Sequence, residues 1–273
     1  MRSVVQVHVG PPNTRRRERC PSAWLHRSHK RWRACNRGLR QVPGKCGTYT
    51  PAVSSEFDVT SLEPGGWEAL EQSYAALMAG GLPCGAALAD ADGVIVSRGR
   101  NHAYDHPTGT DPLEATPLAH AEMNVLARLP TERDLSSDTL WSSQQPCAMC
   151  AAALEFCGVG TVRFLALDPS AIGSYDGGAA RKDAPPGDDP VPEPWALFAN
   201  VMFLQGTLGR HGPDTEMFRR NLDLEPETAE LALACHRDQR LVSPHSVSLT
   251  ERIPILWPDL MEAADRRRSR LRY

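Results

Sequence analysis

Residues 139–168 read TLWSSQQPCAMCAAALEFCGVGTVRFLALD. Residues 139–143 have the β-branched and aromatic content of a short strand. Residues 147–157, opened by Pro146, form a small Ala-rich helical stretch, and residues 161–168 return to strand character. The same alternation extends outward. Upstream, Trp67, Leu70, Tyr74, Leu77 and Met78 fall at helical spacing until Gly80-Gly81 stops the helix. CGAALADADGVIVSRGRN then reads as two strands, 84–89 and 93–98, around an Asp-Gly turn. A polar loop over 102–117 leads into a helix from about 118 to 129. Downstream, an acidic, Pro-rich loop (183–194) precedes a helix at about 194–205, and the last part reads as helical near 214–221, 225–237 and 257–271. Helices alternating with strands give an α/β fold, with helices sandwiching one central sheet.

Net charge is −3 but unevenly placed. Residues 1–50 carry twelve Lys/Arg against one acid, Glu18. With its Gly and Pro and few periodic apolar residues, the segment 1–56 reads as a basic, disordered extension. It is a nucleic-acid-binding arm, a dispensable extension or an over-long reading frame, and composition favours the blander two. The working division is therefore 1–56, a domain at 57–206, and a mostly helical extension at 207–273 with a basic tail. Eight scattered Cys lack the dense spacing of a secreted disulfide scaffold, and Pro-Pro interrupts the start where a secretory signal would be apolar. A reducing cytoplasm is the expected compartment. The longest apolar runs fall short of the roughly 20 residues of a membrane span, so no membrane partner is expected.

Four residues in the middle of the chain stand out by type and spacing. His120 and Glu122 open one predicted helix after Pro117, and Cys147 and Cys150 open the next after Pro146. Residues three apart share a helix face, so both sulfurs can reach one point. A helix N-terminus favours thiolate, the form that binds metal. Two thiolates and one imidazole suit Zn²⁺ with the fourth tetrahedral position open, whereas a structural zinc site normally closes it with a fourth protein ligand. Glu122, two residues from His120, can face water and substrate while His120 faces the metal.

His-x-Glu followed by Pro-Cys-x-x-Cys is the signature of zinc-dependent nucleobase deaminases. The chain resembles the cytidine/deoxycytidylate deaminase superfamily, most of all the branch with tRNA adenosine, guanine and cytosine deaminases. The likeness runs from about Trp67 to Phe203 through LPCGAAL, SRGRN, AHAEMNVL, PCAMCAAAL and VRFLALDP. It implies a three-layer α/β/α domain with a mixed, mainly five-stranded sheet and a homodimer. It also implies zinc on His120, Cys147 and Cys150, Glu122 as proton shuttle, and Asn101 and the backbone of Ala121 against the substrate. Two departures stand out: Gln145 replaces the family's Glu before Pro-Cys, and the loop from Asn101 to His120 is longer than in compact tRNA-editing members.

The implied reaction is hydrolytic deamination of a free nucleobase or nucleoside. The alternatives are a tRNA adenosine deaminase, forming inosine, or an inactive zinc-stabilised scaffold. Residues 51–265 carry 13 basic and 32 acidic side chains. A body that acidic repels a polyanion unless the basic ends overcome it, so RNA is disfavoured as a partner. Truncation to Phe57 is expected to leave zinc content and melting temperature unchanged, since residues 1–56 lack the apolar content to offset ordering. Metal analysis and a melting curve of the truncated chain check this; a large drop in melting temperature would refute it.

Overall fold

Four short strands pair into one mixed sheet. The computed structural model describes residues 57–167, 191–242 and 247–271. The basic extension 1–56 and most of the loop expected at 183–194 lie outside the described residues. Strands β1 (Gly85–Ala89), β2 (Ile95–Arg100), β3 (Thr139–Gln144) and β4 (Thr161–Ala166) pair in the order β2-β1-β3-β4. β1 is antiparallel to β2 and β3, and β3 is parallel to β4. The helices are α1 (Pro64–Met78), α2 (Ala121–Leu126), α3 (Ala148–Phe156), α4 (Glu193–His211), α5 (Glu216–Leu224), α6 (Pro226–Arg237) and α7 (Leu249–Leu271).

Strand pleating divides the interior in two. Leu88 and Leu140 pack with Ala121, Val125 and Leu154, from α2 and α3. Trp141, the next residue along β3, points the other way, into a larger cluster with Leu70, Tyr74, Trp195, Phe198 and Met202. The result is the expected three-layer α/β/α arrangement. At the centre of the larger cluster Trp195 stacks edge-on against Phe57 and Trp67, with ring centroids 5.9 Å apart in each pair, and lies 5.0 Å from Trp257. Its indole N–H donates to Ser61 Oγ at 2.9 Å, so the one polar atom of a fully buried ring is satisfied.

The expected sheet is mainly five-stranded; among the described residues it has four. Downstream of α4 the apolar residues recur at helical spacing: Leu231, Ala232 and Cys235 on α6, then Ile253, Leu256, Trp257 and Leu260 on α7. That pattern buries one helix stripe and cannot alternate across a sheet, so the chain adds helices to the larger cluster instead of a strand. Helix α4 runs through residue 206 without a break.

The Arg-rich C-terminus is part of the last helix. As far as Leu271 it forms the last turns of α7. Arg267 bridges Glu193 at 2.8 Å and Glu225 at 2.6 Å, Arg268 reaches Glu193 at 2.9 Å, and Arg270 reaches Glu227 at 2.8 Å. Arg266 pairs with Glu230 at 2.9 Å. A linked set of pairs, those of Arg267, Arg268 and Arg270 partly buried, orders a helix end that isolated surface pairs would not.

Helix α1 sits unusually close to β1. A Cβ on Gly85 would lie 2.2 Å from Ala69 O and 2.3 Å from Ser73 N. Both are helix backbone atoms that cannot swing aside, so Gly85→Ala must push α1 off the sheet. The expected loss is about 3 kcal/mol, in the range of overpacked cores. Denaturant unfolding measures it; a variant as stable as the parent would show that α1 and β1 are not so tightly apposed.

Candidate metal centre and active site

Two helix starts build the site, one at the end of the 102–119 loop and one just past β3. Residue His120 caps α2 and Cys147 caps α3, each with extended backbone (φ −69°, ψ 157° and φ −67°, ψ 168°). In both, the carbonyl starts the helix, accepting from Asn124 N at 3.0 Å and Ala151 N at 2.9 Å. Neither residue makes a side-chain cap hydrogen bond, and His120 Nδ1 approaches both cysteine sulfurs.

The start of α2 is braced by close contacts to nearby backbone atoms. Asn124, buried on α2, donates from Nδ2 to Arg100 O at 2.8 Å and Ala119 O at 3.2 Å. His102 N donates to Ala119 O at 2.9 Å. β2 can approach this closely because residue 99 is Gly: a Cβ there would lie 2.7 Å from Ala121 O.

The convergence brings His120, Cys147 and Cys150 together, their donor atoms all within 4.8 Å of one another. His120 Nδ1 lies 3.6 Å from Cys147 Sγ and 3.5 Å from Cys150 Sγ. In a regular tetrahedron, zinc–sulfur bonds of about 2.3 Å and zinc–nitrogen bonds of about 2.05 Å put the two ligand atoms about 3.6 Å apart. The spacing therefore fits Zn²⁺ as well as hydrogen bonding. Hydrogen bonding from Cys150, then from His120, holds the Cys147 thiol down at about 3. The hydrogen bond to Cys147, followed by burial, pushes the Cys150 thiol up. Between them the pair carries one thiolate at neutral pH, and a divalent cation would favour the second.

Glu122 lies in the first turn of α2 and is 6% exposed. Burial pushes its carboxyl above the ordinary range. Ser142, buried on β3, donates to Glu122 Oε1 at 3.1 Å. Sequence reasoning passed over Ser142. The alternation of TLWSSQ, with Leu140 in the α2/α3 core, was the signal that could have found it.

The structure buries Asn101 just past β2 and Ala121 at the start of α2, at 2% and 1% exposure. Asn101 Oδ1 accepts from Ala103 N at 2.9 Å, and its own N donates to Cys84 O at 2.8 Å. One end of the Asn101 amide thus shapes the turn leading into the 102–119 loop.

Residues 68–166 match a family described as the cytidine and deoxycytidylate deaminase zinc-binding region. This segment belongs to the cytidine and deoxycytidylate deaminase superfamily. The deaminase segment is similar to several solved structures. Guanine deaminase from Bacillus subtilis shares 24% identity over 43% of this chain and 70% of its own, with a TM-score of 0.34. A protein from a study of A-to-I editing at the wobble position of transfer RNA shares 29% over 38% and 70%, with a TM-score of 0.31. NE0047, in complex with 2,6-diaminopurine, shares 23% over 69% and 85%, with a TM-score of 0.35. No curated protein matches the chain. Zinc is the metal of this deaminase segment, and His120, Cys147 and Cys150 form the donor set that could hold it. Among the described residues no helix is long and apolar enough to cross a membrane.

Removing either sulfur leaves two protein ligands. Cys147→Ala and Cys150→Ala are each expected to purify with well under 0.5 zinc per chain, against about one for the parent, given a three-ligand site. Metal analysis by mass spectrometry reads this directly; full occupancy in both variants would remove the site.

Proposed function

We propose that the protein is a zinc-dependent hydrolase that deaminates a free nucleobase or nucleoside and releases ammonia. The observation that carries the reading is Glu122. A zinc held only for stability has no use for a buried carboxyl beside its ligands, and burying one is costly unless it is used or paired.

His120, Cys147 and Cys150 would hold the metal. When bound, zinc would lower the pKa of an adjacent water, supplying a nucleophile at neutral pH. Glu122 would take the proton from that water and deliver it to the ring nitrogen beside the amino-bearing carbon. It would then pass a second proton to the departing amino group, which leaves as ammonia while the carbon becomes a carbonyl. Two features of this chain support the role. Burial raises the Glu122 carboxyl toward the working pH, where a proton shuttle is most effective. Ser142 fixes the rotation of the carboxyl through Oε1. Asn101 and the backbone of Ala121 would bound the substrate.

A small substrate is favoured over RNA by charge. The C-terminal arginines best suited to phosphate are paired with Glu193, Glu225, Glu227 and Glu230. Phosphate contact would have to break those pairs, and the acidic body around them repels a polyanion.

Ammonia release from a panel of free bases and nucleosides, run beside inosine formation in bulk tRNA, tests the reading. Glu122→Gln is expected to keep zinc and the melting temperature but to lose turnover by about 10²-fold to 10⁴-fold, because an amide cannot carry the proton. Near-parental activity in that variant would overturn the shuttle. Inosine in tRNA with no turnover of any small substrate would overturn the substrate class.

A further inference from the structure

Residue Gln144 ends β3, three residues before Cys147. It is 7% exposed, and its Nε2 has no hydrogen-bond partner among the described residues. A buried amide donor without an acceptor is unfavourable and rare in folded proteins. Its direction follows from the strand. β3 pairs with β4 in unbroken register from Thr139↔Thr161 to Gln144↔Ala166, so side chains alternate strictly to the end. Leu140 faces the α2/α3 core and Trp141 faces the opposite cluster. Ser142 therefore faces α2, as its bond to Glu122 confirms. Gln144 stands on that same face, one pleat closer to the cysteines.

We infer that Gln144 is a specificity-determining residue whose Nε2 donates to a ring carbonyl oxygen of the substrate base. This rests on the proposed deaminase reading and narrows it to oxo-bearing bases. The ring nitrogen next to the reacting carbon is taken by Glu122, so another acceptor must meet the amide. An exocyclic carbonyl projects beyond the ring toward the wall and offers two lone pairs in the ring plane, whereas a ring nitrogen lies flush with the ring edge. An amino group at that position would set donor against donor. A site built to donate rejects the analogue that lacks the acceptor, because its own buried group is then left unpaired.

Matched pairs that exchange one carbonyl for an amino group test this: cytosine against 2,4-diaminopyrimidine, and guanine against 2,6-diaminopurine. In at least one pair the parent enzyme is expected to favour the oxo base by about tenfold or more in kcat/KM, the scale of one buried hydrogen bond made or left unmade. Gln144→Met and Gln144→Leu are expected to erase that preference, with zinc content intact and the melting temperature unchanged or higher, since an orphaned donor is removed. If both variants keep the preference, or if both lose zinc and melt markedly lower, Gln144 is a structural residue and the inference is wrong. A parent enzyme preferring the diamino analogues also overturns it while leaving the deaminase reading standing. Absence of turnover on every base tried overturns the deaminase reading, and this inference with it.

Discussion

The site depends on one constraint: two helices must begin at the same place. His120 and Cys147 are both cap residues, and their side chains meet because α2 and α3 start at neighbouring points, α2 braced against β2 and α3 following β3 directly. The constraint propagates outward. Gly99 admits α2 against β2, and Asn124 pins α2 to the carbonyls of Arg100 and Ala119. On the other face Gly85 lets α1 lie against β1, which positions the sheet that carries β3. None of these residues touches the metal position. A displacement of one ångström at any of them would spoil a ligand spacing of 3.5–3.6 Å, since metal sites tolerate only about 0.2 Å.

Charge is organised on a second scale. The C-terminal arginines look from the sequence like an exposed basic end, the sort that holds a polyanion. Their partners are acids on α4 and α6 and on the turn between α5 and α6, 36 to 75 residues away in sequence. The pairing locks α7 over the start of α4, and Glu193 serves both Arg267 and Arg268. A helix end fixed at several points stays helical where a lone basic segment would fray.

How far the sequence could be read depended on whether the signal was local. Element order was legible because helical and strand periods are short-range: β1, β3, α3, β4 and α6 fall within a residue or two of expectation. The candidate donor trio was legible because its chemistry restricts both residue type and spacing. Helix α2 is shorter than read, 121–126 rather than 118–129, because Leu118 and Ala119 are held in turns; Ala119 N bonds Thr116 O. Helix α7 begins at Leu249, not near 257. Pro254 and Pro258 read as breakers, but Leu249, Ile253, Leu256 and Trp257 bury a continuous stripe that outweighs the lost N–H groups. Ser142 and the arginine pairs were illegible for a different reason. Each is a contact between distant segments, and no local pattern encodes its partner.

The end of β3 holds two departures from ordinary burial. Within three residues it places Ser142, bound to a buried carboxyl, and Gln144, whose amide donor has no acceptor. Apolar residues at these positions would give a more stable strand, since each buried polar group must be desolvated. Leu140, on the same face two residues earlier, is what the fold alone prefers there. The change from apolar to polar along a single face occurs where the strand approaches His120, Cys147 and Cys150. Polar groups that weaken a fold persist where something outside the fold uses them. By that argument the polar end of β3 would form one wall of the proposed substrate site, with His120, Cys147 and Cys150 at its floor.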